Sequence, residues 1–219
     1  MLTFMMTMLL TNLKVAYFTF DDGPSTRTVE IMDVLDEYQV PGLFFVIGDY
    51  IEELTDGEEI IQQITTRGHQ VGLHSMSHDR HQLYQQQGAG QHFADEMKQL
   101  QQKIYEITAQ TPSVCRAPYS RTLYFTPLHY DALAKANIDY LDWNVDSRDW
   151  SHVDVRQIIE NVEVGIEAVA DDSVIVLLFH ETEETVEALP VVIKYLQQLG
   201  YQFGSYDSVT RLQELIEYK

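Results

Sequence analysis

The sequence is poor in several things, and each shortage excludes something. It has one cysteine, Cys115, in 219 residues, so neither an intrachain disulfide nor a thiolate metal cluster can form. A lone cysteine of this kind is expected to behave as a small buried apolar residue. Basic residues are few: 14 Lys and Arg stand against 34 Asp and Glu, for a net charge of -20. That charge repels phosphate backbones and anionic lipid, so nucleic acid and membrane surfaces are poor partners. Its plain consequence is solubility. The 6 prolines and 11 glycines are scattered, and no linker, repeat or low-complexity tract divides the chain. The most apolar stretch at the N-terminus, MLTFMMTMLLTNLK, is apolar for about ten residues, too short to cross a bilayer. It also lacks a basic n-region and a small-residue cleavage site, and reads as an intracellular start rather than a leader.

What is present is a globular composition. With 45% hydrophobic residues, the chain can bury one sizeable core. A single domain over 1–219 is expected, with 1–14 a short N-terminal extension to which no role is assigned. Short β-rich runs alternate with helical patterns. Strands are predicted at 15–20, 42–48, 70–75, 113–118, 138–145, 173–180 and 201–206. Helices are predicted at 26–38, 58–67, 89–109, 127–137, 153–170, 185–200 and 208–218, with Ser25 as the first N-cap. Seven βα units in a row imply a parallel sheet covered by helices. Periodicity leaves an open doubly wound sheet and a closed or nearly closed barrel equally open.

Polar residues gather where those strands end. Asp21 and Asp22 follow the first strand, His74 and His78 the third, Arg116 and Tyr119 the fourth, Asp146 and Asp149 the fifth, and His180 the sixth. In parallel α/β folds these ends share one rim, and ligands bind there. Five of seven strands delivering such groups to one rim indicate a site.

The chemistry follows from spacing. In HSMSH (74–78) two imidazoles lie four residues apart and can face one ion. Ser75 occupies the place a zincin glutamate would take, so no base is supplied there. One carboxylate from the first strand would complete a His₂Asp set with a coordination position open, which suits catalytic zinc. The neighbouring aspartate could then serve as base for a metal-bound water. A divalent cation would also relieve the repulsion between adjacent carboxylates. The Gly-Pro turn that follows is expected to let both side chains stay at the rim.

TFDDGPS (19–25), HSMSH (74–78), RAPY (116–119), DSRDW (146–150) and LLFH (177–180) together resemble the ordered motifs of the NodB-type polysaccharide deacetylases, carbohydrate esterase family 4. The resemblance spans about residues 15–206. It implies an α/β fold, a distorted (β/α)7 barrel with parallel strands. It implies that Asp21 is the general base and that Asp22, His74 and His78 hold one divalent metal ion, usually Zn2+, with Co2+ able to substitute. Arg116 would orient Asp21 and keep it ionised. The Tyr119 amide would help stabilise an oxyanion. Asp149 would tune His180, the general acid towards the departing amine. Trp150 and Leu178 would line a pocket for an acetyl methyl. The implied partner is a glycan of the N-acetylglucosamine type, peptidoglycan or chitin-like oligosaccharide. Cell-envelope work would imply export, so location is left open.

Three departures stand out: Ser120 where a glycine commonly follows, HET (180–182) for the usual His-Asp, and PGLFF (41–45) for A-T-F-F. Ser120 is expected to alter its loop. An O-acetyl esterase, a small-amide hydrolase, a two-carboxylate glycosidase and a non-catalytic glycan binder remain as alternatives. His69, His81, His92, His129 and His152 read as ordinary surface residues. Trp143 and Tyr124 could stack on sugar rings, and core packing or simple surface exposure accounts for each at least as well. Loops 49–57, 79–90 and 119–127 are expected to grip the polymer.

Overall fold

The computed structural model describes residues 14–169, 174–207 and 212–217. One parallel sheet is wrapped by helices. Its strands are β1 (Val15–Gly23), β2 (Gly42–Val46), β3 (Gln70–Leu73), β4 (Val114–Cys115), β5 (Asp139–Tyr140), β6 (Val145–Asp146), β7 (Val174–His180) and β8 (Gln202–Phe203). Helices are α1 (Thr28–Glu37), α2 (Gly48–Glu53), α3 (Gly57–Thr66), α4 (Ala89–Thr108), α5 (Arg121–Tyr124), α6 (Pro127–Ala136), α7 (Val155–Ala168), α8 (Glu183–Gln198) and α9 (Leu212–Glu217). The strand order is β5-β4-β3-β2-β1-β7-β6, with β8 on the start of β1. Most of the N-terminal extension, 1–13, and the ends of the last predicted helix lie outside the described residues. Among the described residues, no helix is long and apolar enough to cross a membrane.

The predicted fifth strand, 138–145, is broken. Its ends become β5 and β6 on opposite edges of the sheet, and residues 141–144 cross between them. Five Cα steps reach at most about 18 Å, so the sheet must curl until its edges nearly meet. The distorted (β/α)7 barrel is therefore the observed fold, closed by a crossing segment instead of a ladder. Asn144 explains the break. Its side chain donates to the Val174 carbonyl (3.1 Å) and accepts from the Val176 amide (2.7 Å), taking over bonds a strand would make.

Strand alternation sorts the side chains. Phe18, Phe20, Phe44, Val46, Leu177 and Phe179 pack outward against the helices. Leu43, Phe45, Val114, Leu141 and Val176 fill the barrel, with Tyr17 and Trp143 against them. Trp143 is thus core. Gly72 faces inward on β3, where a Cβ would lie 2.4 Å from Phe45 Cδ1; the missing side chain is what lets Phe45 sit there.

Several local expectations are corrected. The residue before α1 is Arg27, without a side-chain cap; Ser25 lies two residues earlier, its Oγ accepting from the Arg27 amide at 3.0 Å. Two of the three expected gripping loops carry short helices, α2 and α5, and the third a single π turn at His81–Gln85. His69 and His129 are buried, not surface residues. His69 Nδ1 accepts from the Gly42 amide and His129 Nδ1 from the Thr126 amide, both at 3.1 Å; backbone groups inside the fold supply the partners that spacing could not reveal. Cys115 is buried as expected, and burial pushes its thiol well up.

Phe44 is fully buried and stacks on Phe20 at 4.9 Å. Phe44→Ala is predicted to lower unfolding free energy by about 3–5 kcal/mol, read from guanidinium midpoints. A loss below about 1 kcal/mol would contradict this packing.

Candidate metal and active site

The site is assembled by strand ends, beginning with β1. Tyr17, Thr19 and Asp21 share the inward face, so strict alternation would turn Asp22 away from them. It does not, because β1 bulges there. Asp21 pairs with Phe45 and Gly23 with Val46, leaving Asp22 unpaired in the register shift with φ of 65°. A bulge re-aims a side chain at a strand end, and this one brings both carboxylates to the rim. The Gly-Pro turn is thus secondary to the bulge. Behind it, Gly23 abuts Glu181, whose Oε1 would lie 2.1 Å from a Cβ there. The Thr28 hydroxyl donates to Glu181 Oε2 at 2.5 Å. Burial pushes the Glu181 carboxyl up to about 7, against the lowering effect of Thr28 and Ser25.

Asp22 meets the two motif histidines. Its Oδ1 lies 3.2 Å from His74 Nε2 and 3.3 Å from His78 Nε2, and the three ligand atoms of the set fall within 4.8 Å of one another. His74 Nδ1 lies 2.9 Å from the Arg116 carbonyl. A carbonyl only accepts, so Nδ1 carries the hydrogen and, in the neutral ring, Nε2 turns a lone pair toward Asp22. Asp22 Oδ1 is itself buried with no well-aligned hydrogen bond. At His74 a lone pair facing a carboxylate repels it, so either an imidazolium proton or a cation must lie between that ring and Asp22. Burial raises the Asp22 carboxyl, but the two imidazoles outweigh it and hold the group well below the usual carboxylate range. The donor set, one carboxylate and two imidazoles oriented from behind, fits a divalent cation such as zinc.

Asp21 is held differently. It is 4% exposed, and Arg116, fully buried, donates to its Oδ1 at 2.9 Å. The same guanidinium donates to Thr19 Oγ1 (2.6 Å) and to the Leu141 and Asp142 carbonyls (2.9 and 3.0 Å). It lies over the Phe45 ring at 4.3 Å. Asp21 thus reaches the rim with its orientation fixed.

His180 ends β7 directly beside Asp21 in register. Asp149 Oδ1 lies 2.8 Å from its Nδ1, and Asp149 Oδ2 accepts from the His180 amide (2.6 Å) and the Thr185 hydroxyl (2.7 Å). His180 Nε2 points back, 4.0 Å from Asp22 Oδ2. Burial lowers the imidazole, yet Asp149 first, then Asp21 and Asp22, push it up to about 9. At neutral pH it carries a proton.

The remaining expected residues surround this centre. Tyr119 is half exposed with φ of 67°, and its hydroxyl donates to the His78 carbonyl at 2.9 Å. Trp150 is 55% exposed and its indole N–H lies 3.3 Å from Asp146 Oδ1. Leu178 is buried on the inward face, next to Asp146 in the β6–β7 register. Ser120 has φ of 175°, extended backbone that needs no glycine. Tyr124 stacks on Tyr84 at 4.9 Å. Sequence spacing overlooked Thr19, Thr185 and Glu96, which support these groups from distant segments; a glutamate on the apolar face of α4 was the one legible signal.

A parallel barrel bearing this rim defines a class, and comparison gives the family. The polysaccharide deacetylase family model matches residues 10–141. The chain belongs to the polysaccharide deacetylase family. It is 32% identical to a peptidoglycan-N-acetylglucosamine deacetylase of Bacillus cereus over 88% of this chain and 69% of that one. A chitooligosaccharide deacetylase of a Bradyrhizobium species is 31% identical over 86% and 87%. The crystal structure of a Bacillus cereus polysaccharide deacetylase superposes with a TM-score of 0.80 at 29% identity, covering 90% of this chain and 94% of that one.

Because Asp149 is the principal group raising His180, Asp149→Asn is predicted to return its titration from about 9 toward the ordinary imidazole value near 6.5. Wild-type His180 gains charge affinity on folding. Its stabilising contribution is complete below that ordinary value and is lost as pH rises through about 9. Imidazole NMR titration checks this; an unmoved His180 in the variant would contradict it.

Proposed function

We propose that this chain is a divalent-metal-dependent hydrolase that removes N-acetyl groups from N-acetylglucosamine-type glycans, peptidoglycan or chitin-like oligosaccharide, releasing acetate. The observation that carries the reading is the buried Asp22 Oδ1 facing His74 and His78 nitrogens at 3.2 and 3.3 Å, beside a second carboxylate held apart by Arg116. Asp22, His74 and His78 would hold the ion. When bound, such an ion polarises an acyl oxygen and acidifies water. The names of two relatives, acting on peptidoglycan N-acetylglucosamine and on chitooligosaccharide, support the substrate class.

The chain's own groups divide the proton work. Asp21, fixed by Arg116, is the base that takes the proton of the attacking water. His180, oriented by Asp149 and favoured in its protonated form by that carboxylate, gives a proton to the departing nitrogen. Base and acid arrive on adjacent strands, Asp21 beside His180 in register, within reach of one acyl group. The Tyr119 amide faces the developing oxyanion. Leu178 and Trp150 flank the acetyl methyl, and the exposed rings of Trp150 and Tyr119 suit sugar faces. An ester alkoxide leaves without prior protonation far more readily than an amine. A histidine held protonated therefore supplies what an amide requires and an ester can do without.

Acetate release from N-acetylglucosamine oligomers tests the reading. Chelation is expected to abolish it and added zinc to restore it. Asp21→Asn is expected to lower kcat by about 10²- to 10⁴-fold while zinc still binds. Turnover indifferent to the chelator or to Asp21→Asn would refute the mechanism.

A further inference from the structure

The metal-ligand segment 74–78 is a short turn with two non-glycine residues in the left-handed region, Ser75 (φ 70°) and His78 (φ 53°). Such residues cost about 1–3 kcal/mol each and persist only where the surroundings over-determine them. Part of the hold comes from the front. The Gly48 and Asp49 amides at the start of α2 donate to the Ser75 and Met76 carbonyls at 3.0 and 2.9 Å. The Ser75 hydroxyl accepts from the His78 amide at 2.9 Å. The rest comes from behind.

Glu96 lies on the buried face of α4 with Phe93, Met97 and Leu100, a place where a charged residue is ordinarily disfavoured. It is 5% exposed, and among the described residues no Lys or Arg forms a salt bridge with it. Its carboxylate is spent on the turn. Oε2 accepts from the Met76 amide (3.0 Å) and the Ser77 amide (2.9 Å), and both oxygens lie 3.0 Å from the Ser77 hydroxyl. His92 Nε2, one turn earlier, lies 2.9 Å from Oε1, off the line of a good hydrogen bond. The two amides that Glu96 holds are two of the three between the histidines.

We propose that Glu96 is a positioning residue for the metal site: its carboxylate fixes the backbone between His74 and His78, and so sets their spacing toward Asp22. This rests on the metal-site reading above. Helix α4 thereby contributes to cation affinity without supplying a ligand. A charge is retained in an apolar face because a carboxylate, an acceptor only, can take two adjacent amides and a hydroxyl at once. An apolar residue there would leave the Met76 and Ser77 amides without these bonds.

The test is zinc affinity of the folded protein, measured by competition with a chromophoric chelator and independent of turnover. Glu96→Ala is expected to weaken zinc binding by about 10–100-fold, the usual consequence of losing an outer support of a metal ligand. Glu96→Gln keeps an acceptor oxygen for both amides and is expected to stay within about threefold of wild type. Glu96→Asp, one methylene short of the turn, carries the same test as alanine if Glu96→Ala fails to fold. Folded alanine or aspartate variants with unchanged zinc affinity would overturn the proposal. A glutamine variant as weak as alanine would overturn it too, since charge rather than hydrogen bonding would then be what matters. Wild-type protein that binds no zinc would instead strike the metal-site reading itself, so the two failures are distinguishable.

Discussion

A buried guanidinium organises this molecule. Arg116 is taken wholly out of water, a position that costs several kcal/mol in desolvation and is offset only by close hydrogen-bonded partners. Its donors are used across the barrel, on β1 through Thr19 and Asp21 and on the crossing segment through the Leu141 and Asp142 carbonyls. The segment it engages is the one that closes the seam between β5 and β6. Closure of the fold and orientation of Asp21 are therefore one interaction. The neighbouring carbonyl of Arg116, accepting from His74 Nδ1, extends the same residue's influence to the imidazole that faces Asp22.

Around that anchor, two chemically identical neighbours are given different environments. Asp21 keeps its place on the inward face and meets a fixed cation of the protein. Asp22, displaced by the bulge, meets two imidazoles and a coordination space. The separation depends on backbone conformations that most residues avoid: Asp22, Ser75, His78, Tyr119 and Arg148 all have positive φ. Such conformations persist where surrounding bonds over-determine them, and here they cluster at the strand ends that form the site. His180 completes the arrangement from β7, its proton retained by Asp149 and the two β1 carboxylates.

Much of this was legible in the sequence. The strong apolar run 173–180 gave its strand nearly to the residue, because burial on both faces leaves little else for it to be. The run 15–20 gave the start of a strand that runs on through the two aspartates to Gly23. The five motifs placed Asp21, Asp22, His74, His78, Arg116, Asp149 and His180 at one rim, and the structure brings those seven together. The broken strand at 138–145 was not legible, since Asn144 imitates strand hydrogen bonds with its side chain and periodicity does not register that. The buried His69 and His129 were misjudged for a related reason: their partners are backbone groups far away or across a turn. Glu96 carried no motif, and only its position among Phe93, Met97 and Leu100 marked it.

Zinc-edge anomalous diffraction from crystals of the zinc-loaded protein addresses the central claim most directly. The account predicts one ion, with an Asp22 oxygen and the Nε2 atoms of His74 and His78 at about 2.0–2.2 Å. Asp21 would remain on Arg116 and His180 would lie outside the coordination sphere. An ion bound elsewhere, or one that takes Asp21 as a ligand in place of Asp22, would contradict it.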